Sequence, residues 1–299
     1  MVARAKRGRT ASSAFDAGLT KAALSLGPAG RRIVAYIDHN RAKALASSAL
    51  EIAASTHTSD ATVVRTVQSL GYAGLGPFKL ALAGALERAT TPADDMRRTL
   101  AEIGASAAEA IDLVLAAHEE AIAVLRATQA KAQIAAAVGT LHAAERIVVF
   151  GIGPSSALAA YAAMMLGRGG RRALTLDQTG IRLADQLLDL RPGDALLIVA
   201  YSRISREVAT LVDEARRLGL PVVMMTDVIG TKLARLADVA VAIPRGRTER
   251  IALHGGTFVA LEALLLGLAS LNAAAVMTTL DRLNMLRNAI GGPSNDLVP

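Results

Sequence analysis

Five short apolar segments, separated by stretches of helical character, constrain the fold of this chain more than any other feature. The apolar segments are 146–150, 172–176, 194–200, 221–226 and 239–243, and the helical stretches between them are 155–168, about 180–189, 205–218 and about 230–236. A strand that is apolar on both of its faces is typical of a parallel sheet covered on both sides. The alternation therefore predicts an α/β fold with a doubly wound parallel sheet in the second half of the chain.

The composition indicates a folded chain and excludes several kinds of site. Hydrophobic residues make up 52% and charged residues 20%, which argues against extensive disorder. Cysteine is absent, so disulfides, thiolate metal sites and a cysteine nucleophile are excluded, and a reducing cytoplasm fits. The five histidines are scattered, and we expect no metal site and no cofactor. The apolar stretch 259–277 contains Glu262, Ser270 and Asn272 and is expected to be a buried helix, not a membrane span.

The net charge of +7 lies entirely in the first third of the chain. Residues 1–98 hold 14 Lys and Arg against 7 Asp and Glu, whereas residues 99–299 hold 19 of each. A basic segment joined to a neutral one suggests that the first contacts a polyanion such as nucleic acid. A basic tail explains the charge equally well, because four of the cations lie within residues 4–9.

Two short helices separated by a turn of about three residues are predicted within this basic segment. The first ends at Ser55 and Thr56, and residues 58–60 provide short oxygen side chains that can cap a new helix. The second helix has an apolar stripe of Val63, Val67 and Leu70. Gly71 suits the end of that helix. This arrangement is the helix-turn-helix pattern.

The opposite face of the second helix carries hydrogen-bonding side chains suited to phosphates and base edges, namely Asp60, Thr62, Arg65, Thr66 and Ser69. Ser59 and Thr62 lie near the helix N-terminus, the end that approaches DNA in this motif. A solvated helix face with an ordinary cap is the alternative interpretation.

Two strand-to-helix turns of the predicted sheet combine flexible backbone with hydroxyl side chains. The first turn contains Gly151, Gly153, Ser155 and Ser156. Glycine lets the backbone approach a ligand closely, and the amide end of the following helix favours an anion. The second turn spans residues 201–207. Because ligands of such sheets bind at the carboxyl ends of the strands, we expect a small-anion site there. A dinucleotide site is a weaker alternative, since the third glycine of GxGxxG is missing, and capping serines are another.

Residues 51–53, 58–65, 70–72 and 78–82 resemble the helix-turn-helix domain of RpiR-type bacterial transcription regulators, whose pattern is roughly "iA…vS.aTvvR….lGf.G…fk..l". The resemblance implies that Ser59, Thr62 and Arg65 lie on the recognition helix and that Lys79 contacts phosphate. The predicted DNA-binding set is Ser59, Asp60, Thr62, Arg65, Thr66 and Lys79.

Residues from about 128 to 270 resemble the sugar isomerase (SIS) domain, the usual partner of that DNA-binding domain. The loop 151–156 matches its G-x-G-x-S motif, and Ser202 and Ser205 match the hydroxyl positions of its S-x-S-G-x-T motif. The resemblance implies that the serines of these loops hold the phosphate of a phosphorylated sugar. The predicted effector-binding set is Gly151, Gly153, Ser155, Ser156, Ser202, Arg203 and Ser205.

Two positions depart from the SIS pattern. Ala200 replaces the first serine of the second motif, and Arg203 replaces its glycine. The loss of a hydroxyl weakens the expected phosphate site, whereas Arg203 could bind an anion with paired hydrogen bonds or fill the pocket. The effector could therefore differ from an ordinary hexose phosphate.

The sequence thus predicts a cytoplasmic, DNA-binding transcriptional regulator that senses a phosphorylated sugar or related small anion as a homodimer or homotetramer. Its predicted parts are a basic, mostly disordered arm (1–26), a helix-turn-helix domain (27–90), a helical connector (91–127) in which helix is interrupted near 116–119, a SIS domain (128–275) and a C-terminal tail (276–299).

An enzymatic alternative is a SIS-type sugar-phosphate isomerase with a fused helical domain. Aldose–ketose isomerisation needs a base, and Glu207, Glu249 and His254 are the candidates near the expected pocket. Glu207 is more simply interpreted as a partner of the helix dipole, and Glu249 as an ion-pair partner. His254 is more simply interpreted as a helix cap or a subunit contact. We therefore predict no catalytic residue. An RNA-binding scaffold fits less well, because interleaved aromatic residues are absent.

Overall fold

The computed structural model describes residues 19, 26–87, 91–201, 204–227, 233–247 and 250–291. The chain divides into two compact units. The first comprises Met1–Ala117 together with Gly246–Leu253, and the second comprises His118–Arg245 together with His254–Pro299.

Residues 26–87 of the first unit form a bundle of short helices. They are α1 (Pro28–His39), α2 (Arg41–Ala46), α3 (Ala49–Thr56), α4 (Asp60–Ser69) and α5 (Leu75–Glu87). Their apolar faces meet in one core, which includes Ile33, Ile37, Ile52, Val63, Val67, Phe78 and Leu82. Leu19, which we had assigned to the N-terminal arm, is buried in the same core. The rest of that predicted arm lies outside the described residues, apart from Leu26.

The turn between α3 and α4 follows from local signals. His57 adopts a left-handed conformation with φ 51° and ends α3. Ser59 caps α4, because its Oγ accepts a hydrogen bond from the Thr62 N–H at 3.2 Å. Gly71, with φ 89°, follows the last turn of α4. The predicted helix-turn-helix, with residues 57–59 as its turn, is confirmed.

Two further helices follow the bundle, α6 (Pro92–Ile103) and α7 (Ala107–Leu125). The predicted interruption near residues 116–119 is wrong, because α7 continues through it. That stretch contains neither glycine nor proline, whereas the observed breaks lie at residues 104–106, where Gly104 has φ 57°, and at residues 126–127.

The second unit contains a five-stranded parallel sheet, as predicted. The strands are β1 (Arg146–Gly151), β2 (Ala173–Leu176), β3 (Asp194–Val199), β4 (Val222–Thr226) and β5 (Val239–Ala242). Their order is β2-β1-β3-β4-β5, and in the register of the two central strands Gly151 of β1 is the partner of Val199 of β3. The helices of this unit are α8 (Thr128–His142), α9 (Pro154–Arg168), α10 (Leu183–Leu187), α11 (Arg206–Leu218), α12 (Gly255–Ser270) and α13 (Ala273–Gly291).

Helices cover both faces of the sheet. Alternate residues of β1 belong to two separate cores, with Ile147 and Val149 in one and Val148 and Phe150 in the other. The first core also contains residues of α8, α9 and α12, and the second contains residues of α10 and α11. This is the doubly wound arrangement, and it explains why the strands are apolar at nearly every position.

A buried ion pair joins the first residues of β1 and β3. Asp194 is almost fully buried, and its carboxylate accepts hydrogen bonds from Arg146 Nε at 2.8 Å and Nη2 at 2.7 Å. The backbone N–H of Arg191 donates to the same carboxylate at 2.9 Å. The hydrogen bond to Asp194 raises the pKa of Arg146. The pair therefore lies at the amino end of the strands, opposite the carboxyl end where ligands of such sheets bind.

The predicted C-terminal tail (276–299) is helical as far as Gly291, because α13 covers its first part. Within the described residues, no single helix has the length and hydropathy needed to cross a membrane. The adjoining helices α12 and α13 meet the length and hydropathy criteria only when they are taken as one segment. The chain bends by 104° between the two helices.

Candidate DNA-binding and effector sites

The outer face of α4 presents polar and basic groups to solvent. Asp60, Arg65 and Ser69 are exposed, as is the capping residue Ser59, and Thr62 is half-buried. The hydroxyls of Ser59 and Thr62 lie 2.8 Å apart, and Arg65 Nε donates to the Ala61 carbonyl at 3.3 Å. Apart from Ser69, which ends the helix, these side chains form one hydrogen-bonding surface around the first two turns of α4. Such a surface can contact phosphate oxygens and base edges.

Thr66 does not belong to this surface. It is only 4% exposed, and its hydroxyl donates to the Thr62 carbonyl at 2.7 Å. The prediction that Thr66 contacts DNA is therefore corrected, because its side chain lies on the buried side of α4. A polar residue can occupy that side when the helix backbone itself accepts its hydrogen bond.

Lys79 lies on α5, where it is half-buried. It lies near Glu51, whose pKa is lowered mainly by hydrogen bonds from Ser48 and less by the charge of Lys79. The lysine thus adds a cation to the same bundle, and its contact with phosphate stays a prediction.

The second candidate site lies at the carboxyl ends of the strands in the second unit. Gly151 ends β1, and Gly153 adopts φ 61°, so the chain turns sharply into α9. Ser155 is buried beneath this turn, whereas Ser156 is exposed and its hydroxyl donates to the Gly153 carbonyl at 2.7 Å. Of the two predicted phosphate ligands in this loop, Ser156 is therefore the more accessible.

The loop after β3 approaches the same edge of the sheet. Ser205 caps α11 by accepting a hydrogen bond from the Val208 N–H at 3.1 Å. Ser202 and Arg203 lie outside the described residues. Glu207, a candidate base from the sequence, accepts a hydrogen bond from the Gly180 N–H at 3.3 Å. Hydrogen bonds from its own backbone N–H and from Gly180 contribute to the lowered pKa of Glu207.

A cluster of polar side chains at the ends of β3, β4 and β5 was not predicted from the sequence. The Arg245 guanidinium lies 3.9 Å from the centre of the Tyr201 ring, and its Nη2 lies 3.4 Å from Asp227 Oδ2. The Tyr201 hydroxyl and the buried Thr257 hydroxyl are 2.5 Å apart. His254 packs against Tyr201 with ring centres 5.9 Å apart. We call these five residues the edge cluster.

Burial controls the ionisation of the edge cluster. It raises the pKa of Tyr201 to about 12. Burial and, less strongly, the charge of Arg245 lower the pKa of His254. The Nδ1 atom of His254 is buried and has no hydrogen-bond partner within the described part of the chain. At neutral pH the cluster therefore offers a neutral imidazole and a neutral phenol beside an Arg–Asp pair.

The sequence contained only a weak signal for the edge cluster. Tyr201 directly follows an apolar strand, and Arg245 follows another, which placed both at the carboxyl edge. Their contact depends on strand order, since β5 is next to β4 and β4 next to β3. The described residues hold no group of three or more His, Asp or Glu side chains that could bind a metal ion.

Comparisons with known proteins agree with both parts of the structure. A family model described as the helix-turn-helix domain of the rpiR family matches residues 17–89, and a model of the SIS domain matches residues 140–277. Together they cover most of the chain.

Named relatives match most of this chain. An uncharacterized HTH-type transcriptional regulator of Caldanaerobacter subterraneus is 25% identical over 222 residues, which cover 72% of this chain and 74% of that protein. The bifunctional protein glk of Burkholderia thailandensis is 30% identical over 77% of this chain, but the match spans only 35% of glk. The structure of the Vibrio vulnificus NanR protein, complexed with ManNAc-6P, has a similar fold, with a TM-score of 0.51, 23% identity, and coverage of 92% of this chain and 98% of NanR.

The fold and the matched domains define a class of protein, the transcriptional regulators that join a DNA-binding helix-turn-helix to a sugar-sensing SIS domain. Within that class, this chain belongs to the RpiR family.

Proposed function

We propose that the protein binds duplex DNA through the exposed face of α4 and changes its DNA affinity when a small phosphorylated sugar binds at the carboxyl edge of the sheet. The observation that carries the DNA-binding part is the exposed surface around Ser59, Thr62 and Arg65 on a helix preceded by a tight turn. A helix of this kind fits the major groove, with its N-terminal residues at the base edges.

The β1–α9 loop and the start of α11 are the proposed phosphate site. The backbone turn at Gly153 and the hydroxyl of Ser156 support this proposal, because both lie at the N-terminal end of a helix, where anions are favoured. Ser205 begins the neighbouring helix at the same edge. The neighbouring NanR structure, which contains ManNAc-6P, is consistent with a phosphorylated sugar as the ligand.

The edge cluster is the proposed site for the sugar end of the effector. Neighbouring strands lie about 4.8 Å apart, so the end of β4 is about 10 Å from the end of β1, which suits a small phosphosugar. The Arg245–Asp227 pair has no net charge and combines donors with acceptors. We therefore propose that it hydrogen-bonds to neutral hydroxyls and that the effector's charge is concentrated in its phosphate.

We infer that the protein acts as a homodimer or homotetramer and not as an isomerase. Paired DNA-binding helices separated by one turn of DNA, about 34 Å, would read two half-sites. Among the candidate bases, Glu207 is held by the Gly180 N–H, and burial keeps His254 neutral at the start of α12. The regulatory role is supported by the matched DNA-binding domain and by a relative that is named an HTH-type transcriptional regulator.

Selection of duplexes from a random pool by the full-length protein tests this function. The recovered duplex is labelled, and its affinity is measured by fluorescence anisotropy as a function of salt, with inorganic phosphate, glucose 6-phosphate or ManNAc-6P added. We expect the affinity to fall steeply with salt and to change with at least one phosphosugar but not with phosphate alone. Failure to recover any duplex, or turnover of a phosphosugar without an effect on DNA binding, would contradict the proposal.

A further inference from the structure

The loop between β5 and α12 is attached to α6 at several points. Arg247 and Arg250 both bind the carboxylate of Glu102, and Arg250 does so through Nε at 2.8 Å. The Ile251 N–H donates to the hydroxyl of Thr99, a buried residue, at 3.0 Å. Thr99 and Glu102 are three residues apart and therefore lie on one face of α6. All these contacts are internal to the first unit.

Both ends of the same loop carry groups of the edge cluster. Arg245 lies two residues before Arg247, and His254 lies three residues after Ile251. Two residues of extended chain span at most about 7 Å. A displacement of Arg245 is therefore transmitted to Arg247, because so short a segment has little slack. A ligand that moves either end therefore acts on a short segment in which Arg247, Arg250 and Ile251 contact α6.

We propose that Glu102 couples the effector site to the DNA-binding bundle by holding the β5–α12 loop on α6. This proposal rests on the proposed function, since it concerns the regulation of that site. Helix α6 begins five residues after the end of α5, the last helix of the bundle. Glu102 is thus a positioning residue that contacts neither DNA nor effector.

The expected coupling is modest. Partly exposed ion pairs contribute little individually, and here two arginines share one carboxylate. We therefore expect Glu102 to account for about a fivefold change in DNA affinity, which is at the low end of allosteric coupling.

A double-mutant cycle in the full chain tests this proposal without knowledge of the natural effector. Asp227→Asn perturbs the Arg245 end of the loop, and Arg245→Ala is a second, stronger perturbation. The affinity for the duplex recovered from the random pool is measured with Glu102 intact, with Glu102→Gln and with Glu109→Gln, a control at an exposed residue of α7. We expect Asp227→Asn to change the DNA affinity about fivefold when Glu102 is intact and also in the Glu109→Gln control background. In the Glu102→Gln background, the same substitution should change the DNA affinity less than twofold.

Hydrogen exchange of residues 92–103 provides a readout that needs no DNA. With Glu102 intact, Asp227→Asn should change the exchange of α6, and Glu102→Gln should abolish that response. If Asp227→Asn and Arg245→Ala leave both affinity and exchange unchanged, or change them equally in the Glu102→Gln background, the proposal is overturned. If the exchange shows the coupling but no duplex is bound, the proposed DNA-binding function fails while the role of Glu102 stands.

Discussion

Replacement of Gly151 by alanine is the most direct test of how the effector loop is built. A Cβ atom at this position would lie 2.4 Å from the carbonyl oxygen of Ser155 and 2.7 Å from its carbonyl carbon. Both contacts are to backbone, so no side-chain rotation can relieve them. The turn from β1 into α9 has to move if a methyl group is added.

The cost follows from this geometry. Forcing an extra carbon into a well-packed region destabilises a protein by about 1–3 kcal/mol. For a domain of this size, about 2–4 °C is lost per kcal/mol, so the melting temperature should fall by about 2–12 °C. Because the moved turn carries Ser156, affinity for a phosphosugar should fall at least about tenfold, or 1.4 kcal/mol.

Differential scanning calorimetry and equilibrium binding of the active phosphosugar measure the two effects. Gly153→Ala is the matched control: a Cβ there meets no atom within 4 Å, and only the positive φ of 61° opposes it. Because its backbone angles, φ 61° and ψ −131°, are sparsely populated by L residues, its cost should be about 1–3 kcal/mol, without displacement of Ser155. A Gly151→Ala protein that melts within 1 °C of the wild type and binds the phosphosugar equally would refute the reasoning.

Three further predictions concern other parts of the chain. Arg65→Ala should weaken binding to the selected duplex by about 1–3 kcal/mol if the arginine contacts a base. If the arginine contacts phosphate, the slope of the logarithm of the binding constant against the logarithm of the salt concentration should fall by about one unit. Unchanged affinity across a salt series would show that Arg65 does not contact DNA. Asp194→Ala leaves Arg146 with only the exposed Asp189 as an acidic partner and should cost about 3 kcal/mol in urea unfolding, the low end for breaking a buried pair, whereas a loss below 1 kcal/mol would show that the pair is replaceable. The lowered pKa of His254 means that the unfolded chain takes up its proton more readily, so stability should fall as pH drops below about 6.5. That part of the pH dependence should be absent in His254→Gln, as measured by thermal unfolding between pH 5 and 8.

Local patterns were sufficient to predict the strands of the second unit and the helix-turn-helix of the first. The strands were recognised because a parallel strand covered on both faces must be apolar at nearly every position, as in residues 194–199. The turn between α3 and α4 was recognised because Ser59 is followed by a helical apolar stripe. The break in the connector was misplaced, since residues 116–119 contain no helix-breaking residue and Gly104 was overlooked.

The candidate sites were predictable only in part. The glycines and serines of the β1–α9 loop form a local motif, and the structure places them at the expected edge. Thr66 was assigned to the wrong face, because residues at the border of a helical stripe can be buried or exposed depending on what packs against them. The edge cluster was missed, because Tyr201 and Arg245 are 44 residues apart and neither occupies a defined position of a motif.

Periodicity, caps and glycines thus determined by themselves that this chain has a helix-turn-helix followed by a parallel α/β sheet, because these signals act between residues within a few positions of one another. Tertiary structure alone decided which carboxyl-edge side chains meet, since strand order brings Tyr201, Asp227 and Arg245 together. It also decided that Glu102 binds two arginines about 150 residues away. Long-range contacts of this kind depend on the packing of whole elements, which no local pattern specifies.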